Sequence, residues 1–382
     1  MSTVASRIAQ VAVQQFHDLF YFYRTLFFAL RCAWKIDRKS WVICHDTTTS
    51  MPALFAARNT QKIIFDISET PALRGRTTDR FRQKYSLLPN FMEGLSNYAI
   101  RRAPLVMCSS TGFAALARER TEHQVVVAIS YDGTRPDTLT PPPALMPDPP
   151  STEPTSTGPN PDQADIRHIA WPSTFLKVTG ADLALDIVRA WPEAWQLVII
   201  GEITPHHPYF EAITALGPRI RVTGALDRAD YLRELAACDG ALILFNTELE
   251  NTRLCVPNRL YDCLAVGVPI VSTPHQAVSQ VIERLPDCGE ICDAPAPTAF
   301  IAPLNRVFEQ ARPLPPTGEQ VMTALDGQSM QAALGQFLPP PGGDNQMVTI
   351  LANRSIKGRH RITTMVSALH ALGYKTRVYA QH

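Results

Sequence analysis

The sequence predicts an α/β protein built on two parallel, doubly wound sheets. Three observations carry that reading. Short apolar runs recur, and each is followed by a segment with helical periodicity. The runs fall into two blocks separated by a proline-rich stretch, and a last strand–helix–strand pattern follows a second break near the C-terminus. The length of 382 residues exceeds one ordinary domain and fits two.

The first block opens with a helix over residues 15–34 (QFHDLFYFYRTLFFALRCAW). Its apolar face carries Phe16, Leu19, Phe20, Tyr23, Leu26, Phe27 and Leu30, with Arg7, Arg24, Arg31, Lys35 and Lys39 along or beside it. His17, Asp18, Arg24 and Arg31 interrupt the apolar run, so it does not span a bilayer. Two placements fit it: a core helix lying on a sheet, or a helix lying in a membrane interface. Strands are expected over 40–45, 62–66, 104–108 and 124–129, with helices between them.

Residues 137–164 (DTLTPPPALMPDPPSTEPTSTGPNPDQA) contain nine prolines and no apolar period, the signature of an extended linker. The second block then alternates clearly. Strands are expected over 168–172, 196–201, 219–223, 240–245 and 269–272, and helices over 181–190, 229–237 and 258–266. A repeated strand–helix–strand unit forms a parallel sheet, giving two Rossmann-like domains in all. After the short break 339–345 (PPPGGDN), residues 347–352 read as a buried strand and 359–372 as an amphipathic helix. Gly373 caps that helix, and residues 375–380 form another strand. A lone βαβ unit cannot bury its faces, so it must join one of the sheets.

The formal charge of +1, from 36 Lys and Arg against 35 Asp and Glu, argues against a nucleic-acid partner. The eight cysteines form no CxxC pair and have no histidine spaced to complete a metal site, which fits reduced thiols in a cytoplasmic protein. No acidic pair is spaced as a metal motif, and no metal or bound cofactor is expected.

Residues 221–273 are similar to the donor-binding domain of retaining GT-B glycosyltransferases of the large family 4 type. Pro257, Asn258, Leu260, Tyr261, Leu264, Ala265, Gly267, Pro269, Val271, Ser272 and Thr273 match its signature in place. The first block resembles the acceptor-side domain through His45-Asp46, Asp66-Ile67-Ser68-Glu69, the strand ending in Ser110, and Asp132-Gly133. That domain's opening strand, loop and helix are missing from the start of the chain, and residues 347–382 resemble them. Two arrangements account for this: the segment completes the first sheet of its own chain, as in a circular permutant, or it opens a second copy in a tandem array. The complementarity of the pieces favours completion. The domains expected are 1–136 with 346–382, and 165–312, joined by the linker 137–164 and a helical return segment 313–345.

The resemblance implies a GT-B fold, with two Rossmann-like domains facing across a cleft. It implies a nucleotide-sugar donor, metal-independent transfer with retention, and a glycan or lipid-linked acceptor. By carry-over, Arg259 neutralises the departing diphosphate, and the helix beginning near Pro257, Asn258 and Leu260 turns its amide groups toward it. Asp262 stands at the ribose-binding carboxylate, one methylene shorter than the family's Glu. Lys177 lies in the loop after the domain's first strand, and Gly201-Glu202 ends a strand beside the base. On the acceptor side, Lys357 and Gly358 belong to the loop opening the transplanted unit, and His45 and Asp46 face the acceptor hydroxyl. The expected location is cytoplasmic, with peripheral contact at the inner face of the membrane. One family glutamate is replaced by Leu254. That change, with Asp262, leaves open a second reading: a catalytically degenerate GT-B-like subunit that binds a partner or a glycan. A third, a GT-B-shaped sugar-nucleotide epimerase, requires catalytic carboxylates and a histidine that the sequence does not place.

Overall fold

The computed structural model describes residues 2–37, 39–46, 49–57, 60–68, 88–131, 166–245, 250–294, 296–342, 346–353 and 358–381. The Pro-rich stretch 137–164, Glu69, Asp132-Gly133 and Lys357 lie outside these residues. The chain divides into two compact units. One comprises Met1–Asp132, Leu249–Cys255 and Leu325–His382; the other comprises Gly133–Glu248 and Val256–Ala324.

The first unit runs α1 (Ser2–Lys35), β1 (Trp41–His45), α2 (Ser50–Ala56), β2 (Ile63–Ile67), α3 (Leu88–Ile100), β3 (Leu105–Cys108), α4 (Thr111–Arg118) and β4 (Gln124–Ile129). The second runs β5 (Arg167–Trp171), α5 (Ala181–Ala190), β6 (Trp195–Ile199), α6 (Phe210–Ala215), β7 (Ile220–Val222), α7 (Arg228–Ala236) and β8 (Gly240–Ile243). After α8 (Glu250–Leu254), which belongs to the first unit, it continues with α9 (Asn258–Val266), β9 (Ile270–Ser272), α10 (Gln276–Arg284), β10 (Gly289–Ile291), α11 (Ile301–Glu309) and α12 (Gly318–Ala324). The first unit closes with β11 (Gln328–Ser329), α13 (Met330–Gly335), β12 (Met347–Asn353), α14 (Gly358–Ala371) and β13 (Lys375–Gln381).

Local chemistry sets these boundaries. Ser110, Asp227 and Ser329 each accept a first-turn amide hydrogen, at 3.1, 2.8 and 3.0 Å, and so start α4, α7 and α13. Gly373, at φ 86°, ends α14 as its position in the sequence leads one to expect. Helix α1 begins thirteen residues before the sequence reading places it, because residues 2–14 contain neither proline nor glycine to stop a helix.

In the first sheet the order is β11-β4-β3-β2-β1-β12-β13, and every adjacent pair is parallel. The C-terminal segment therefore occupies an interior position of its own chain's sheet. β12 pairs with β1 from Trp41↔Val348 to Cys44↔Leu351, and on its other side with β13 along its whole length. The core beneath is shared by both chain ends: Trp41, Ile43, Ile64 and Met107 meet Val348, Ile350, Met365 and Leu369. The return segment 313–345 is more than helical, since β11 pairs with β4 through Gln328↔Ala128 and Ser329↔Ile129. Two residues of polar sequence give no period to read, so this strand is invisible in the sequence. The three-residue β10 escapes for the same reason.

The second sheet has the order β10-β9-β8-β5-β6-β7, again all parallel. The winding reverses between β5 and β8. That reversal is the point where open α/β sheets leave a crevice at their carboxyl ends. In the first sheet the corresponding reversal lies between β12 and β1.

Because Ile350 is fully buried in that core, Ile350→Ala is expected to cost the first unit about 2–5 kcal/mol, as Ile64→Ala in the neighbouring β2 would. Urea unfolding of the two variants checks this: comparable losses are the expected outcome, and near-wild-type stability for Ile350→Ala alone would contradict it.

Candidate functional site

In the second unit, the carboxyl ends of β5 and β8 and the start of α9 come together. Pro257 precedes α9 in extended conformation (φ −73°, ψ 132°) and offers no side-chain acceptor to the first-turn amides. Arg259 is the second residue of the helix. Helical side chains lean toward the N-terminus, so its guanidinium reaches back to the end of β8 and donates to the Leu244 carbonyl at 2.6 Å. It lies 4.2 Å from the Phe245 ring centroid and 5.9 Å from that of Trp171. A cation at a helix N-terminus opposes the helix dipole; the carbonyl and the ring faces offset that cost. Only 5% of Arg259 is exposed, so it is a buried cation and not a solvent-facing side chain.

The neighbouring chain is held tightly. His275 stacks on Phe245 with centroids 4.2 Å apart, and the Phe245 amide donates to the Thr273 hydroxyl at 3.2 Å. Gly180 sits at φ 89°, where an added Cβ would come within 2.7 Å of the Leu244 Cβ, so α5 starts against the end of β8 only because this residue is glycine. The Thr179 hydroxyl fixes the preceding turn, donating to the Thr174 carbonyl at 2.7 Å and accepting from the Leu176 amide at 3.1 Å.

The other sequence-predicted residues of this unit divide. Lys177 is exposed in the short 3-10 turn Lys177–Thr179, and Asn258 is exposed at the first turn of α9. Glu202 is exposed after β6. Gly201 is not needed for a turn: open space lies where its Cβ would stand, and its amide donates to the Thr223 hydroxyl at 3.1 Å. Leu260 is fully buried, so its side chain is core and does not line a binding surface. Asp262 already has partners within the unit. One carboxylate oxygen accepts from Arg228 at 2.5 Å and the other from the Tyr231 hydroxyl at 3.0 Å, tying α9 to α7. Burial pushes the Tyr231 hydroxyl well above its ordinary pKa, and the Asp262 charge pushes it further. Trp171, Phe245, His275, Arg228 and Tyr231 escape the sequence reading, since partners from four separate segments have no common spacing.

In the first unit, His45 and Asp46 end β1 at the sheet's reversal point. The His45 Nδ1 lies 2.6 Å from the Asp66 carboxylate, and Nε2 lies 3.6 Å from Asp46. Asp66 is held in turn by Arg361 of α14, whose Nε and Nη2 donate to it at 2.5–3.0 Å, while Nη1 donates to the Ala128 carbonyl at 2.7 Å and the Ser130 hydroxyl at 3.0 Å. Asp46 has a left-handed backbone (φ 63°), and its carboxylate accepts from the Ser68 amide at 3.1 Å and hydroxyl at 2.5 Å. A non-glycine residue in that conformation is a strained position of the kind found at functional sites. His45 is only 1% exposed, so it is not a surface group. Gly358 opens α14, the helix that carries Arg361. The sequence reading identified His45, Asp46 and Asp66 but missed Arg361, which stands in the helix with nothing nearby to mark it as a partner.

Burial alone would raise the Asp66 carboxyl, but the Arg361 guanidinium and the His45 contact outweigh it and hold the pKa at about 2. Burial would lower His45, yet Asp46 and Asp66 outweigh it and its pKa is raised above the ordinary value. The eight cysteines are all unbridged. Among the described residues no three His, Cys, Asp or Glu side chains converge as a metal site, and no helix is long and apolar enough to cross a membrane.

Comparison with known proteins fits this architecture. Residues 167–310 match the family described as Glycosyl transferases group 1. Sucrose-phosphate synthase from Thermosynechococcus elongatus superposes with a TM-score of 0.53 at 13% identity, over 78% of this chain and 71% of that one. TarM superposes with a TM-score of 0.52 at 11% identity, over 80% of this chain and 57% of that one. No protein of curated function matches the chain in sequence. Two parallel doubly wound sheets of this kind define a GT-B fold, and the stretch of it from β5 to α11 is the part that is similar to the group 1 glycosyl transferases.

The buried network makes the first unit's stability depend on pH in two directions. Asp66 titrates lower in the folded state than the roughly 3.9 of an unfolded chain. Its contribution, about 2–3 kcal/mol, is therefore present above that value and lost as the pH falls toward about 2. His45 titrates higher when folded, so its contribution is present below about 6.5 and lost as the pH rises through its folded value. Urea unfolding across the pH range is expected to show both limbs, and His45→Gln is expected to flatten the alkaline one while shrinking the acid one, because His45 also helps to hold Asp66 down.

Proposed function

We propose that this chain transfers a sugar from a nucleotide-sugar donor, bound by the second unit, to a glycan or lipid-linked acceptor, without a metal ion and with retention at the anomeric carbon. The location we infer is the cytoplasmic side of the membrane, in synthesis of a surface polysaccharide or glycolipid. The observation that carries the donor assignment is the crevice at the β5/β8 reversal. There the first-turn amides of α9 meet no capping side chain, and a guanidinium is buried directly behind them.

The chemistry follows from charge. As the bond between the anomeric carbon and the phosphate oxygen breaks, the electron pair stays on the diphosphate, and fixed dipoles and cations at that point lower the barrier. The amides of Asn258 and Arg259 with the helix dipole would receive the diphosphate, and the exposed Lys177 would close over it. Arg259 acts from behind, as a buried positive charge that also sets the angle of α9. Glycine at position 201 leaves room for the base, and Glu202 stands beside it. Asp262 retains lone pairs beyond the two bonds it already accepts, so a ribose hydroxyl remains within its capacity.

On the acceptor side, Lys357 and Gly358 would bring the loop after β12 to the substrate. The His45 Nδ1 is taken by the Asp66 carboxylate, which leaves Nε2, 3.6 Å from Asp46, as the ring nitrogen that would meet a substrate. Its role in this reading is to hydrogen-bond with an incoming hydroxyl, with Asp46 beside it. The engagement of both Asp262 oxygens by Arg228 and Tyr231 favours one rival, a binding subunit without turnover.

Thermal unfolding against a panel of nucleoside diphosphates tests the donor assignment. A diphosphate present at about 100 times its Kd adds about 2.7 kcal/mol to the unit that binds it, a rise of several degrees in Tm. One base is expected to give that rise. Lys177→Ala is expected to leave the ligand-free Tm unchanged and to shrink the rise, while Arg259→Ala lowers the ligand-free Tm as well. Absence of a rise with every diphosphate would overturn the assignment. A rise without sugar transfer to any acceptor would support the binding-subunit reading.

A further inference from the structure

Helix α1 is two-faced in an unusual sense, because both faces are apolar. At about 100° per residue, Thr25, Ala29, Cys32 and Ile36 fall on one narrow line, and all four are buried. Ala29 meets Met51 of α2 there, with Phe22 and Leu26 at the margin. About 180° away lies a second line of Phe16, Tyr23, Phe27, Leu30 and Trp34. These residues are exposed by 49% to 86%, the highest value being that of Trp34. A folded protein rarely leaves so many large apolar side chains contiguous in water unless they meet something.

The flanks of this exposed line differ. On one side Phe22 packs edge-on against Phe91 of α3, with centroids 5.7 Å apart, and Phe91 and Tyr98 are themselves about half exposed, so the apolar surface widens there. On the other side Arg24, Arg31 and Lys35 fall within one narrow arc, all exposed. Arg24 and Arg31 border a concavity of about 510 Å³ whose other wall includes Val378 and Tyr379 of β13. Neither arginine is ion-paired with a carboxylate among the described residues. Asp18 is the one acidic residue in the sequence of α1, against Arg7, Arg24, Arg31 and Lys35. The helix is 34 residues long but too polar to cross a bilayer.

We propose that α1 docks the protein on the surface of an anionic lipid bilayer. The helix lies parallel to the membrane plane, with Phe16, Phe27 and Trp34 in the acyl boundary. Arg24 and Arg31 hold the phosphate of a lipid headgroup in the concavity beside β13. The charge pattern decides the occupant. A second copy of the chain would bring the same arginines against its partner and gain no compensating acid, whereas an anionic headgroup layer matches both the apolar line and its cationic rim. This assignment is independent of the donor chemistry of the second unit.

Flotation of the full-length protein with vesicles tests it, using phosphatidylcholine alone or phosphatidylcholine mixed with phosphatidylglycerol. The wild type is expected to float with the mixed vesicles, more weakly as salt rises, and Trp emission to shift to the blue. Arg24→Gln with Arg31→Gln is expected to weaken the partition roughly thirtyfold, about 2 kcal/mol at about 1 kcal/mol per cation. Phe27→Ser with Trp34→Ser is expected to abolish flotation at an unchanged Tm, since both residues are exposed. The proposal falls if the wild type floats with neither vesicle, or if neither double variant alters flotation. It also falls if sedimentation shows a dimer that Phe27→Ser with Trp34→Ser dissolves in a protein that ignores vesicles.

Discussion

One buried guanidinium holds the first sheet together across the whole length of the chain. Arg361 reaches Asp66, 295 positions away, together with the Ala128 carbonyl and the Ser130 hydroxyl, so a single side chain of α14 is fixed to the ends of β2 and β4. Its partners leave it no alternative. A buried carboxylate without its cation is a large cost, and so is a buried cation without its carboxylate. The strand that precedes α14 is as tightly determined, because β12 sits in the interior of a parallel sheet and is paired on both sides. Without it β1 would become an open edge, β13 would lose its neighbour in the sheet, and the core would lose Val348 and Ile350.

The same device appears in the second unit. Arg259 and Arg361 both lie in the first turns of helices that follow strands, and both donate to a backbone carbonyl at the carboxyl end of a strand. In each case the charge is where a helix N-terminus makes a cation unfavourable, so it must be held by specific partners. The consequence is a preorganised, buried guanidinium at the carboxyl ends of strands in each sheet. In the second unit it lies behind the amides of α9. In the first the cation is met by the Asp66 carboxylate, which also holds the His45 ring through Nδ1.

Much of this was legible in the sequence, and the boundary is physical. Buried parallel strands are short apolar runs, and β1 to β9 and β12 lie within a residue or two of the spans expected from such runs; the more polar β13 lies where the last strand is expected. Helix ends were legible where a capping residue announces them, as at Gly373. What stayed hidden was every feature carried by partners from different segments. Leu260 reads as part of a binding signature, but its side chain supports the helix from the core. Asp262 reads as a ligand carboxylate, but Arg228 and Tyr231 are already on it. The aromatic line of α1 was visible as a helical period; which of its two faces is buried was not, because both are apolar and only packing against α2 distinguishes them.

Amide hydrogen exchange on the full-length protein, read by mass spectrometry, tests most directly that the two ends of the chain build one sheet. If β12 lies between β1 and β13, the amides of residues 348–351 and 42–44 exchange together, at the slow rate of the central residues 106–108 and only through global opening of the first unit. If residues 347–381 exchange orders of magnitude faster than residues 106–108 while β1 behaves as an edge strand, the segment is not part of that sheet, and the account of the first unit is wrong.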